Sequence, residues 1–551
     1  MTHPYEKNAA AARRLVFTTI LILSGLAQLP GQLSGTYTIG GTLPNYPTIS
    51  KAVSVLNAVG VAGPVTFIIR PGYYNERVTL RNVRGASRTN TITFRSLRGN
   101  SNDVSISPYA YSGNEGFTLK FDNARHYRII GLTIRSWNEE YGGAIKVVNG
   151  AYDLRIEGCD VVTPEKESFN PEEAAIFIEP LWSSTLEFRS NLIHGGAYGI
   201  YYAGSQNTYS RNTKIIGNRI TGYFLTGLYA SDLQGGELTG NTIFGGYNGY
   251  TNSKAVNIRS WNGTSISPVL MANNFVTITR GSYRAVGISN SQYLQIFHNS
   301  LNQPNSLTLL ELTDVSNSAV LNNVLRVGTG LAALIQGATN LTMDYNDLYG
   351  EGTYLARLGN KAAANLITWR YYTGLDQHSI SVDPQFVSDY NLHAKASALI
   401  NAGVAVPSVG VDIDGESRSN PPCIGADEFK LAIKFPWWYP MYSAKSMEPG
   451  TAATGNDADA KQEGIGISVR EHAVFPTPAF DRLNIAITDG YTGSVTLSVL
   501  DGLGRKVSEV SYEKDGPDLR TEITVSDLVP GVYLLRIEEG KEVTVKRFVK
   551  R

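Results

Sequence analysis

Between residues 115 and 350, short runs of alternating apolar and polar residues recur, each interrupted by Gly or Asn before it reaches helical length. Ala175-Ile176-Phe177-Ile178-Glu179, Gly227-Leu228-Tyr229-Ala230 and Ala285-Val286-Gly287-Ile288-Ser289 are examples. Alternation with period two predicts strands with one face turned inward. Downstream of most of these runs comes a second signal, Asn followed by any residue and an aliphatic. It stands at Asn191, Asn218, Asn241, Asn274, Asn299, Asn323 and Asn346, with Cys159 and Leu132 in the same place in two earlier copies. Successive copies lie 27, 32, 27, 23, 33, 25, 24 and 23 residues apart. A unit of that size holding at least two strands predicts a parallel β-helix, in which each coil stacks on the previous one at about 4.8 Å. A leucine-rich repeat is the nearest competitor, but its repeats are shorter and stricter than the 32- and 33-residue coils here.

The corner Asn has a structural explanation. Its amide can bond to the coils above and below, and Asn tolerates the left-handed backbone of a sharp corner. Cys159 is then a small inward hydrophobe. Cys423 is expected beyond the last coil, eight or more layers from Cys159, so that both thiols are free. Residues 46–59 read as an amphipathic helix with Ile49, Ala52, Val53, Leu56 and Val59 on one face, a plug for the open end of the stack. Strands are expected at Val65–Ile69 and Arg77–Leu80, around Pro71-Gly72. The stretch Arg70-Pro71-Gly72-Tyr73-Tyr74-Asn75-Glu76-Arg77-Val78 resembles the opening of pectin-lyase-like right-handed β-helix proteins and pectin methylesterases. That resemblance covers roughly residues 35–430 and implies an all-β fold: N-terminal cap and first coils over 28–115, then a right-handed parallel β-helix over 116–430.

Asp383-Pro384-Gln385-Phe386, Ser397-Ala398-Leu399-Ile400-Asn401-Ala402-Gly403, Asp412-Ile413-Asp414-Gly415 and Ile424-Gly425-Ala426-Asp427-Glu428-Phe429 are similar to the closing segment of secreted bacterial β-helix proteins. Asp412 and Asp414 offer oxygen ligands for Ca2+, or else form a plain Asx-turn. Residues 431–469 read as a linker, and 470–551 as a small antiparallel β-sandwich. Pro476 and Pro478, Gly504-Arg505, Gly531 with Tyr533, and Lys546, Phe548 and Lys550 resemble, in order, the motifs of the type IX secretion system C-terminal sorting domain. Thr477 stands where that family usually has Asn. The resemblance implies that the type IX machinery is a partner and that the protein ends at the outer-membrane surface or outside the cell.

The N-terminus agrees with export. Lys7, Arg13 and Arg14 precede an apolar run from Leu15 to Leu29, too short for a membrane-spanning helix, which predicts a signal peptide over 1–27 cut before Gln28. No transmembrane segment is expected in the mature protein. Lys plus Arg and Asp plus Glu are both 48, so the net charge is zero and a nucleic-acid partner is not expected. With 17% charged residues and 31 Tyr the chain is too apolar and aromatic for disorder. Two cysteines exclude a disulfide scaffold. A monomer is expected.

Candidate chemistry is expected on the outward positions of the first strand in each coil. In chain order they are Lys120, Lys146, Phe177, Tyr201, Tyr229, Asn257, Gly287 and Glu311, then two residues further Asp122, Val148, Glu179, Ala203, Ser231, Arg259, Ser289 and Thr313. Phe177, Tyr201 and Tyr229 form one column, either a platform for sugar rings or a ladder that stabilises the sheet. Lys254, Asn257 and Arg259 are the nearest approach to a lyase base with a charge-neutralising partner. Glu179 lies three coils from Arg259, roughly 14 Å. His194 and His298 are expected to be hydrogen-bonded surface histidines. Two functions follow as alternatives: a non-catalytic surface protein that binds polysaccharide or mediates adhesion, which these positions favour because acid, base and metal ligands do not cluster, or a polysaccharide lyase or hydrolase.

Overall fold

The computed structural model describes residues 31–430 and 471–550, apart from 110–115, 138–141, 206–209, 246–249, 251, 280–283, 306, 476–478, 480–481, 489–490, 502–504, 517, 530 and 541. The expected signal peptide and linker lie outside the described residues. The chain divides into two compact units, Met1–Ile433 and Lys434–Arg551.

The first unit is a parallel β-solenoid. Each coil contributes three short strands, as in Ile176–Glu179, Ser183–Arg189 and Leu192–His194, followed one coil later by Tyr198–Ala203, Ser210–Ile216 and Arg219–Thr221. The third strands stack into an 11-stranded parallel sheet. The first and second strands join into one 22-stranded sheet, because in places they run together without a break, as in Thr226–Thr239. Inward aliphatics such as Ile178, Ile200, Leu228, Val256 and Ile288 form one continuous core along the solenoid.

The corner Asn ladder is present. The amide Nδ2 of each Asn donates to Oδ1 of the next, from Asn191 through Asn218, Asn241, Asn274, Asn299 and Asn323 to Asn346, at 2.8–3.1 Å. The left-handed backbone belongs to the residue before each of them: Ser190, Gly217, Gly240, Asn273, His298, Asn322 and Tyr345. Two roles expected of one residue are thus divided between neighbours. The corner strain falls on the preceding position, and the ladder Asn is left to satisfy buried backbone groups. At one end Cys159 N–H donates to Asn191 Oδ1. At the other, Asn346 Nδ2 donates to Asp376 Oδ1, a carboxylate also held by Trp369 Nε1.

Two helices are described in this unit, α1 (Ile49–Val59) and α2 (Leu366–Thr373). Thr48 caps α1 and its five predicted apolar residues are buried against the first coils. Helix α2, which periodicity did not reveal, brings Leu366 and Trp369 into the same core behind an antiparallel hairpin, Ala356–Leu358 with Lys361–Ala363. Hairpin and helix thus close the C-terminal end.

Beyond α2 the chain folds back over the outside of earlier coils. Leu399 and Ile424 pack on Val324, Val409 on Ala272 and Phe297, and Leu392 on Phe275. Cys423 therefore lies alongside the middle coils and not past the last one; it and Cys159 are both buried and free. His298 is covered by the same segment. Its Nε2 accepts from Asn322 Nδ2 at 2.9 Å and its Nδ1 faces Gly425 O at 3.3 Å. It is fully buried, contrary to the surface position expected, and burial pushes its pKa down to about 3.

The second unit pairs a three-stranded antiparallel sheet with a four-stranded one around Leu483, Ile485, Leu497, Tyr533, Leu535 and Phe548. Among the described residues no helix is long and apolar enough to cross a membrane.

Candidate functional site

The outward columns stand in register. Lys120, Lys146, Phe177, Tyr201, Tyr229, Asn257, Gly287 and Glu311 are direct partners from coil to coil. Phe177 and Tyr201 stack at 5.6 Å and 4° between planes, and Tyr201 and Tyr229 at 4.8 Å and 9°. The column is not uniformly open. Phe177 is only 2% exposed, lying under the Lys146 ammonium and beside Phe117, so it anchors the stack and offers no ligand a face. Tyr201 and Tyr229 are half-buried and reach the surface.

A third ring joins them. Tyr198 stands edge-on to Tyr201 at 5.1 Å and to Tyr229 at 6.3 Å. Strict alternation would turn it inward, since it lies three residues before Tyr201. Two consecutive inward residues, Gly199 and Ile200, break the alternation. The corner admits only small residues there: a Cβ on Gly199 would meet Ile220 Cγ2 at 2.3 Å. Burial raises the pKa of Tyr201 to about 12, with Tyr229, Tyr198 and Glu179 adding to it, and raises that of Tyr198. Both hydroxyls are therefore neutral donors and acceptors at any physiological pH.

The same break creates a second column, in which Tyr198 pairs with Thr226, Thr226 with Lys254, and Arg284 with Thr308; the two threonines are buried, whereas Tyr198, Lys254 and Arg284 are part-exposed. Beyond the tyrosines it carries charge. Arg284 Nη1 pairs with Glu311 Oε1 at 2.7 Å, passing over Gly287, where any Cβ would stand 3.1 Å from Arg284 Cδ. The Lys254 pKa is lowered by desolvation first and by Arg284 second, with Glu311 opposing. Lys254 and Asn257 thus have Arg284 and Glu311 as their charged neighbours. Arg259 is exposed on the next outward position, and Glu179 lies in the Arg259 column three coils away.

Asp412 and Asp414 do not act as a pair. Asp412 Oδ1 accepts the N–H groups of Asp414 and Glu416, and its Oδ2 that of Glu428, which is a turn-stabilising role. Asp414 instead meets His393 Nε2 at 2.7 Å, and with Asp427 these offer three ligand atoms within 4.8 Å of one another. Burial lowers the His393 pKa, but Asp414, Asp427 and Asp412 outweigh it and hold the imidazole protonated above its usual range.

His194 is part-exposed, with Nδ1 3.0 Å from Thr221 Oγ1 and Nε2 3.2 Å from Glu165 Oε1. Two adjoining clefts of about 290 and 340 Å³ share these two residues, with Trp137 in one and Arg219, Phe244 and Tyr390 in the other. Neither cleft was legible from spacing, because Glu165 comes from a loop and Tyr390 from the closing segment.

In the second unit Gly531, Tyr533, Lys546, Phe548 and Lys550 share one hairpin, with Tyr533 opposite Phe548 and Gly531 opposite Lys550. The two rings stack at 5.7 Å inside the core and are structural. Arg505 is 75% exposed and pairs with Asp501, which leaves it accessible to a partner. Pro476, Pro478 and Gly504 lie outside the described residues.

The molecule is a parallel β-helix protein with a separate antiparallel C-terminal domain, and sequence families agree for each part. Residues 473–551 match the family described as "Secretion system C-terminal sorting domain", the type IX sorting domain whose motifs were noted above. Residues 136–360 match "Periplasmic copper-binding protein (NosD)", a parallel β-helix family. No curated protein matches the chain. Similar solved structures include PfbA, a surface adhesin of Streptococcus pneumoniae (13% identity, TM-score 0.35, covering 56% of this chain and 87% of that one). Others are a lacto-N-biosidase from Eubacterium ramulus (9%, 0.34, 63% and 67%) and the pectin methylesterase from Aspergillus niger (13%, 0.26, 63% and 98%). The sorting domain implies engagement of the type IX machinery and export to the cell surface or extracellular space.

Proposed function

We propose that the exported β-helix binds glycan along the Tyr198, Tyr201 and Tyr229 face. The observation that carries this reading is a flat, half-exposed pair of stacked rings with a third ring edge-on, on a rigid sheet. Aromatic faces accept the C–H faces of sugar rings, while neutral phenols and Asn257 supply hydrogen bonds for hydroxyl groups. Replacing Tyr201 and Tyr229 together by Ala in the full chain should abolish binding on a glycan array with little change in melting temperature. If the rings are only a sheet-stabilising ladder, the double variant melts lower, by about 0.5–1.5 kcal/mol for each lost ring contact, and binds as before.

One observation favours catalysis as a second reading. Lys254 is a part-exposed amine whose pKa burial and Arg284 lower against Glu311, the direction that suits a base withdrawing a proton in β-elimination. Unsaturated products from uronic-acid polysaccharides, lost in Lys254→Met, would establish that activity; their absence leaves glycan binding without catalysis.

A further inference from the structure

The clefts on the other sheet make a second site, independent of the tyrosine face. Their floor is one column of the 11-stranded sheet, with Arg135, Val162, His194 and Thr221 as direct partners in successive coils. Gly222 lets the His194 ring and Glu165 lie close against the floor, since a Cβ there would stand 2.5 Å from His194 Cε1 and 3.0 Å from Glu165 Oε1. The walls are aromatic. Trp137 is 49% exposed at one end and Tyr390 54% exposed at the other, where it meets Phe244 edge-on at 5.6 Å. Large rings left in contact with water around a concave surface are the usual mark of a ligand site.

Charge narrows the ligand. The Arg135 guanidinium lies over Trp137 at 4.8 Å and that of Arg219 over Phe244 at 4.4 Å. Among the described residues neither has a carboxylate partner, whereas Glu165, the acid lining both clefts, is engaged with His194. Two cations three coils apart, roughly 14 Å, with an aromatic ring under each, therefore border the clefts without a carboxylate partner among the described residues. A guanidinium placed over a ring still has N–H groups to offer and suits a carboxylate or sulfate. Peptide recognition by strand addition is excluded on this floor, because strands 160–162, 192–194 and 219–221 are paired on both sides and offer no free backbone edge.

We propose that this cleft, from Trp137 to Tyr390, binds an acidic carbohydrate chain. The anionic groups meet Arg135 and Arg219, the sugar rings lie against the exposed aromatics, and the Glu165–His194 pair accepts and donates hydrogen bonds at the centre. The protein then has two carbohydrate sites on different sheets, and either can be lost without the other.

The test uses affinity electrophoresis of the full chain in gels containing polygalacturonate, hyaluronan or dextran sulfate as acidic probes, with dextran as the neutral control. The expected result is retardation by at least one acidic probe, weakened by salt. Arg219→Glu should lose at least tenfold in affinity for it, and Trp137→Ala should lose affinity without any change of charge. The Tyr201→Ala, Tyr229→Ala double variant should keep that binding, so failure of the tyrosine reading and failure of this one are distinguishable. Unchanged melting temperature in Arg219→Glu and Trp137→Ala shows that the fold is intact. Absence of retardation by every acidic probe, or acidic binding that survives both cleft variants, overturns the proposal.

Discussion

Replacing Asn274 by Ala tests whether the corner ladder holds the coils together. Its Nδ2 donates to Leu238 O at 2.8 Å and to Asn299 Oδ1 at 2.8 Å, and its Oδ1 accepts both the N–H and the Nδ2 of Asn241 at 3.0 Å. Truncation removes all four bonds. Asn241 Nδ2 keeps Ile215 O and Thr239 O, and Asn299 Oδ1 keeps the backbone N–H of residue 274, but the Asn241 N–H is left buried without a partner. One orphaned donor costs about 1–3 kcal/mol and each other lost bond about 0.5–1.5 kcal/mol, and because the partners are shared the total should be about 3 kcal/mol. In a stack held by nearest-neighbour contacts the loss is felt first as local opening. Native-state hydrogen exchange at the Asn241 amide should then accelerate about 100-fold, while a surface control, Asn305→Ala, stays within about 0.5 kcal/mol of the parent. Adding Asn299→Ala should cost less than the two single changes summed, because the Asn274 to Asn299 bond is lost only once. A cost below about 1 kcal/mol, or strict additivity, would refute a cooperative ladder.

Two further outcomes follow from the fold. His298 is neutral in the folded protein down to about pH 3, whereas its unfolded form takes up a proton near its ordinary value of about 6.5. The unfolded state binds more protons in that window, so the contribution is complete above about pH 6.5 and is lost as pH falls, by roughly 3 kcal/mol at pH 4. His298→Asn, which the left-handed backbone accepts as at Asn273 and Asn322, should flatten the acid limb of a melting-temperature profile, and an unchanged limb would contradict the assignment. Deleting residues 470–551 should leave a folded β-helix in the periplasm, checked by fractionation and protease accessibility; normal surface display of the truncated protein would count against the sorting role.

What the sequence disclosed, and what it did not, follows from the range of the interactions. Alternation and the Asn-x-aliphatic period are local, and they located the coils, the ladder and the outward column from Lys120 to Glu311 in correct register. Tyr198 and Arg284 escaped because two inward residues in succession shift the phase of alternation. The burial of Phe177 depends on Lys146 and Phe117 from other coils, and the burial of His298 on a segment over 100 residues away in the chain. Helix α2 has only two buried apolar residues, too few for a periodic signal.

The ladder and the two proposed carbohydrate faces are linked by geometry. Each coil adds one residue to each outward column, so Tyr201 and Tyr229 stand one coil apart, with 4.8 Å between ring centroids. On the other sheet, Arg135, His194 and Thr221 are spaced by the same rule. A rigid repeat therefore presents its aromatic and cationic groups at fixed intervals with little ordering entropy left to lose on binding, which favours an extended, repeating ligand over a compact one. The prediction for Asn274 bears on function for that reason. Loosening the corner between the coils of Asn241 and Asn274 should disturb the interval between Asn257 and the tyrosines next to it, while leaving Arg135 and His194, four and two coils before Asn241 on the other sheet, in place.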